Sequence, residues 1–123
     1  MNNTNIGIVV GTDNTVESID DYRMVALVLN GTAAGQLQYQ AQLQGVATFN
    51  AVSKMWSKEW TRSFHNIGGG AITIREIGCY KYISSTTTLN ALCTIRDVLA
   101  SPITLNTGEK LTITYTFNYI VSN

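Results

Sequence analysis

The residues whose types and placement could do chemistry in this chain are two of its eight carboxylates, one imidazole, two thiols and a run of glycines. Glu76 and Asp97 each interrupt an apolar alternation. Glu76 shares a face with Ile72, Ile74 and Tyr80, and Asp97 with Cys93, Ile95 and Leu99. Two carboxylates on apolar faces could divide acid and base roles, as in a glycoside hydrolase. Arg62, Arg75 and Arg96 lie on the same strands, however, and an arginine fork is a common way to hold a buried carboxylate. Arg62, Arg75, Glu76, Arg96 and Asp97 are therefore expected to form a structural ion-pair network. An active cleft would also need more polar groups converging on it.

His65, the single histidine, would have to serve any nucleophile–histidine–acid triad. It sits beside Asn66 at a strand end, and no Gly-x-Ser-x-Gly elbow accompanies it. One histidine and two separated cysteines lack the ligand spacing of a zinc centre. Gly68-Gly69-Gly70 lies between two strands, without the following helix, Lys and Ser or Thr of a phosphate loop, and reads as a turn. Cys79 and Cys93 fall inside apolar strand patterns and read as small core thiols, with a disulfide between neighbouring strands as the alternative. Trp56, Trp60, Phe64, Tyr80, Tyr82, Tyr115 and Tyr119 could line a sugar or base platform, but in a small β domain they more often serve core or subunit interface. The residues suggest no catalytic, cofactor-binding or metal-binding group, and the chain reads as a non-enzyme.

The elements that would position these residues are strands. Leu111 to Val121 is the clearest: Leu111, Ile113, Tyr115, Phe117, Tyr119 and Val121 alternate with Thr112, Thr114, Thr116 and Asn118. Ile6–Val10 and Met24–Leu29 are short apolar runs around a polar, acidic stretch from Thr12 to Tyr22. Gly35–Leu43 reads as a half-buried strand with a glutamine face at Gln36, Gln38, Gln40 and Gln42, a candidate contact surface between subunits. Phe49, Val52, Trp56, Trp60 and Phe64 are spaced three or four apart, as on a helix. Ser53, Ser57, Thr61 and Ser63 weaken that reading, and Met55–His65 is predicted as a strand. Ala71–Tyr82 and Ala91–Leu99 are further strands, with a polar loop at Ser84–Thr88 and a stop at Ser101-Pro102. Asn106–Lys110 is a turn. Seven or eight strands with turns between them predict an all-β fold, a single antiparallel β-sandwich of jelly-roll or immunoglobulin-like type, as one domain over residues 1–123.

Composition narrows the partners. Eight Lys and Arg balance eight Asp and Glu, so no basic surface is on offer for a phosphate backbone and nucleic acid is not an expected partner. Charged residues are only 13% of the chain, and a neutral polar surface suits repeated packing against copies or neighbours. No run approaches the roughly 20 apolar residues of a membrane helix. The start, Met1-Asn2-Asn3-Thr4-Asn5, has neither the basic nor the apolar region of a secretory signal, so folding in a cytoplasm is the default expectation.

Several segments taken in order carry a resemblance. They are Gly7-Ile8-Val9-Val10-Gly11-Thr12, Ile19-Asp20-Asp21-Tyr22, Gly31-Thr32-Ala33-Ala34-Gly35-Gln36-Leu37-Gln38-Tyr39 and Trp60-Thr61-Arg62-Ser63-Phe64-His65-Asn66. Then come Ile72-Thr73-Ile74-Arg75-Glu76-Ile77-Gly78-Cys79-Tyr80, Ile95-Arg96-Asp97-Val98-Leu99 with Pro102-Ile103-Thr104-Leu105, and Gly108-Glu109-Lys110-Leu111-Thr112-Ile113-Thr114-Tyr115-Thr116. This order resembles small virion structural proteins of tailed bacteriophages and a module of tail-fibre and appendage proteins. Val46–Lys58 departs from it. The resemblance implies a structural part of the tail, neck or an attached fibre, located in the virion after assembly in host cytoplasm, with copies of itself and other virion proteins as partners. It brings no catalytic residues and no cofactor. The alternatives are a capsid decoration protein and a carbohydrate-binding sandwich that recognises a host-surface glycan.

Overall fold

Strict alternation of β-branched and aromatic residues with polar ones favours extended chain, and strands dominate this protein. The computed structural model describes the backbone of residues 6–18, 24–84 and 89–121, and side chains over the same ranges except 82–94. The strands are β1 (Gly7–Gly11), β2 (Gln38–Tyr39), β3 (Leu43–Gln44), β4 (Thr48–Asn50), β5 (Met55–His65), β6 (Ile72–Ser84), β7 (Leu89–Leu105) and β8 (Lys110–Ile120). Among the described residues there is no helix. The fold is all-β, with eight strands in two antiparallel sheets.

The first sheet has the order β1-β6-β7. The second is built on β5, with β8 along one side and β2, β3 and β4 in succession along the other. β5 occupies the predicted span Met55–His65. Its helix-like spacing is incidental: Trp56, Trp60 and Phe64 also alternate, and their cross-strand partners on β8 are Tyr119, Tyr115 and Leu111. On the opposite face, Ser57 donates to Asn118, while Thr61–Thr114 and Ser63–Thr112 are hydroxyl pairs at 3.2 and 2.8 Å. The Thr-rich alternation of the final strand is thus a polar outer ladder backed by an apolar inner face. Apolar side chains of both sheets merge in one core, with Ile8, Val9, Val10, Ile72 and Ile74 from the first and Tyr39, Phe64 and Ile113 from the second. Met24 and Val28 join them from the segment before β2.

Two sequence expectations are corrected. Gly35–Leu43 is not one strand. Tyr39 faces Phe64 while Leu43 faces Thr61, so four steps on this side answer three on β5. The extra residue is a bulge, and it reverses the facing of everything after it. Leu43 is consequently exposed, whereas Leu37 and Tyr39 are buried. Ser101-Pro102 does not end β7 either, which runs on to Leu105. Pro102 is tolerated because β7 is a sheet edge, and the ladder skips there, from Val98 opposite Glu76 to Ile103 opposite Ile74. The Asn106–Lys110 turn forms as expected. Gly108 adopts φ 91° and Glu109 N–H donates to Asn106 O at 3.0 Å. Of the polar loop expected at Ser84–Thr88, residues 85–88 lie outside the described residues, as do residues 19–22 of the acidic stretch.

Candidate functional site

The five residues expected to form one charged network divide into separate arrangements. Glu76 and Arg96 lie diagonally on one face of the β6–β7 pair, since Glu76 opposes Val98 and Arg96 opposes Gly78. Arg96 Nε donates to Glu76 Oε2 at 2.7 Å, with both side chains buried. The other oxygen of Glu76 accepts from Ala26 N–H at 2.9 Å, and Arg96 donates onward to Thr15 O at 2.9 Å. The pair therefore staples the segments flanking residues 19–23 onto the first sheet. Gly11 permits this: any Cβ there would strike the Glu76 side chain and the Ala26 carbonyl. Asp13, near the same pair, has its carboxyl held below the usual range by hydrogen bonds from the Thr15 hydroxyl and backbone, with a smaller contribution from Arg96.

Arg62 is fully buried in the second sheet and makes different bonds. Its guanidinium donates to the backbone carbonyls of Gln40 (2.8 Å), Ile6 (2.9 Å) and Ile8 (3.1 Å). It also lies over the Tyr39 ring, 4.9 Å from the centroid. Burial pulls its pKa below the ordinary arginine value. Tyr39 completes this junction between the sheets. Its hydroxyl donates to Val28 O at 2.6 Å and accepts from Val10 N–H at 3.3 Å, and burial pushes its pKa upward. Arg75 sits half-buried at the β6 irregularity between Ile74 and Glu76. Asp97 is exposed and accepts from the Tyr115 hydroxyl of β8 at 2.8 Å. Glu76 and Asp97 thus belong to opposite faces of one sheet, and paired-carboxylate chemistry needs both in one cleft.

The four glutamines likewise do not share one face, although Gln38 and Gln40 do. Gln36 Oε1 accepts from Ala33 N–H within a turn, and Gln40 donates to Gln38 at 3.1 Å. Gln42 turns inward, where its carbonyl accepts from Ile8 N–H at 2.7 Å. His65 ends β5 between Gln38 and Lys110 on the outer face. Cys79 is a buried thiol, and the side chains of Cys93 and Tyr82 lie outside the described residues.

Two features of the surface divide the aromatic residues that the sequence offered as a platform or an interface. A pocket of about 430 Å³ opens between the sheets, walled by Trp60, Cys79, Tyr80, Lys81, Gln42 and Gln44 among others. The buried Trp60 indole N–H has no hydrogen-bond partner among the described residues. The second feature is the far end of the second sheet, where apolar groups face outward. Phe49 and Trp56 touch with ring centroids 5.0 Å apart, yet remain 47% and 45% exposed. Tyr119 and Ile120, at the end of β8, are 70% and 68% exposed. The clue available in the sequence was the final strand, which stays apolar to its last residues.

No protein-family model, curated protein or solved structure matches this chain.

Proposed function

We propose that this chain is a non-enzymatic structural protein of a tailed bacteriophage particle, a β-sandwich module of the tail, neck or an attached fibre that works by cohesion between subunits. One contrast carries the reading. The buried side chains capable of acid–base chemistry are engaged in holding segments together, while large apolar groups at one end of the second sheet face outward. Glu76 is held by Arg96 and a backbone amide, and Arg62 by three carbonyls. A catalytic carboxylate must instead reach substrate. Exposed aromatic groups on a rigid sheet suit protein–protein contact. The partners in this reading are copies of the chain and neighbouring virion proteins, after assembly in host cytoplasm. Mass spectrometry of separated heads and tails tests it. Several copies in the tail fraction are expected, enrichment on heads would make this a capsid decoration protein, and absence from the particle would overturn the reading.

A second reading has one observation in its favour. The pocket beside Trp60 has the volume of a small-ligand site and combines an aromatic ring, an indole N–H with no partner among the described residues, and two amides. A host-surface glycan would suit that chemistry. Binding on a glycan array, abolished by Trp60→Ala with the fold intact, would favour it over the structural role.

A further inference from the structure

We infer that β8 is the self-association edge of this protein, where a second copy of the chain adds its own β8 antiparallel and joins the two second sheets into one. This deepens the structural reading and rests on it, by naming the partner and the surface.

The inference comes from comparing the four sheet edges. An open edge offers unpaired N–H and C=O groups, and proteins that must stay apart blunt it with bulges, proline, charge, short strands or a covering segment. Three edges here carry such devices. Beyond β1, Val28 N–H donates to Val10 O at 2.9 Å and Thr12 N–H to Ala26 O at 3.0 Å, so residues 26–28 cover that edge. β7 has ladder irregularities opposite Ile74/Glu76 and Cys79/Tyr80, Pro102, and the charges of Arg96 and Asp97. The side formed by β2, β3 and β4 is broken twice, because a second extra residue follows Gln44, which faces Trp60 while Thr48 faces Ser57. β8 is different. Its 11 residues pair with β5 without a register shift, from Lys110 opposite His65 to Ile120 opposite Met55. After Lys110 the strand contains neither proline nor charge. Among the described residues, β5 is its one strand partner.

The strand is also complementary to itself. An antiparallel pair about a two-fold axis perpendicular to the sheet opposes residues of like parity. The register that pairs the whole of β8 sets Tyr115 opposite its own copy. Thr114 then meets Thr116, Thr112 meets Asn118, Ile113 meets Phe117 and Leu111 meets Tyr119. From residue 111 to 119 polar meets polar on the outer face and apolar meets apolar on the inner one, while at each end Lys110 meets Ile120. The edge is about 37 Å long and a paired strand occupies about 5 Å, a footprint of roughly 180 Å². Tyr119 and Ile120 add roughly 250 Å² of uncovered side chain. The sum lies below the roughly 800 Å² per partner of a standard stable complex. An isolated pair is therefore weak and reversible, and in an assembly it is reinforced by other contacts.

Sedimentation of the full chain from roughly 10 µM to 1 mM, the range for so small an interface, tests this. The wild type is expected to dimerise reversibly. The double variant Thr114→Lys/Thr116→Lys sets like charges opposite each other and should weaken dimerisation about tenfold or more. Mixing it with Thr114→Glu/Thr116→Glu should restore a heterodimer. Ser63→Lys puts a charge on the same outer face but on the inner strand β5, and should leave dimerisation unchanged. Circular dichroism checks that each variant keeps its sheets. A wild type monomeric throughout overturns the inference, as does equal weakening by Ser63→Lys or failure of the mixed pair to associate. Presence in the purified particle is measured separately, so a monomeric chain found in tails would sink the edge pairing and leave the structural reading standing.

Discussion

The two ends of this molecule handle polarity in opposite ways. Where β1, residues 24–28 and the inner half of β5 meet, charged and hydroxyl groups are buried and bonded: Arg96 to Glu76, Arg62 to three carbonyls, Tyr39 across two backbone groups. At the far end of the second sheet, Phe49, Trp56, Tyr119 and Ile120 are apolar and open to solvent. Polar groups inside the first region join irregular segments that have few ladder bonds of their own. Apolar groups outside the second have no such use within the chain. The first region supplies cohesion within the chain, and in the proposed structural reading the second supplies it between subunits.

Substitution can break the bonded end most severely. Glu76→Ala leaves Arg96 facing a buried site without its carboxylate and should cost about 3–5 kcal/mol in denaturant unfolding. Glu76→Leu with Arg96→Met should recover part of that loss, although Ala26 N–H still lacks its acceptor. Tyr39→Phe is a milder cut at the same end. It unpairs Val28 O and Val10 N–H and should cost about 1–3 kcal/mol.

The same tyrosine gives a pH signature. Its folded pKa is raised, while the unfolded phenol titrates near 10. Its contribution is therefore complete below about pH 10 and is lost as pH rises from there toward the folded value. Wild-type stability should fall on that alkaline limb, and Tyr39→Phe should fall less steeply in urea midpoints measured across it. Asp13 acts oppositely: its lowered pKa gives stability above its unfolded value, lost as pH falls through the folded one.

At the open end the expected effects on folding are small. Trp56→Ser with Tyr119→Ser should change the stability of the monomer by about 1 kcal/mol or less, while reducing association in sedimentation. Lys54 closes the β4–β5 turn with φ 54°, a left-handed conformation that suits glycine. Lys54→Gly should stabilise the chain by about 0.5–1 kcal/mol in thermal unfolding, because relief of the left-handed strain exceeds the entropy that glycine adds to the unfolded chain. A large loss from the Trp56 and Tyr119 changes, or none from Glu76→Ala, would erase the contrast between the two ends.

The chain's own alternation determined the strands from Met55 and from Lys110, and with them an all-β fold, because period-two burial is a local property of residue order. It also placed Glu76 and Arg96 where strands could carry them. Whether Arg62 met a carboxylate or a row of carbonyls depended on which backbone crossed above it. The facing of Leu43 depended on a bulge that β5 imposes, and the continuation of β7 past Pro102 on its edge position. The glutamines scattered because Gln42 found Ile8 N–H, from a strand more than thirty residues earlier. Register, bulges and edges are properties of paired chains, so tertiary structure alone decided which polar side chains were bonded and which edge of the sheet remained open.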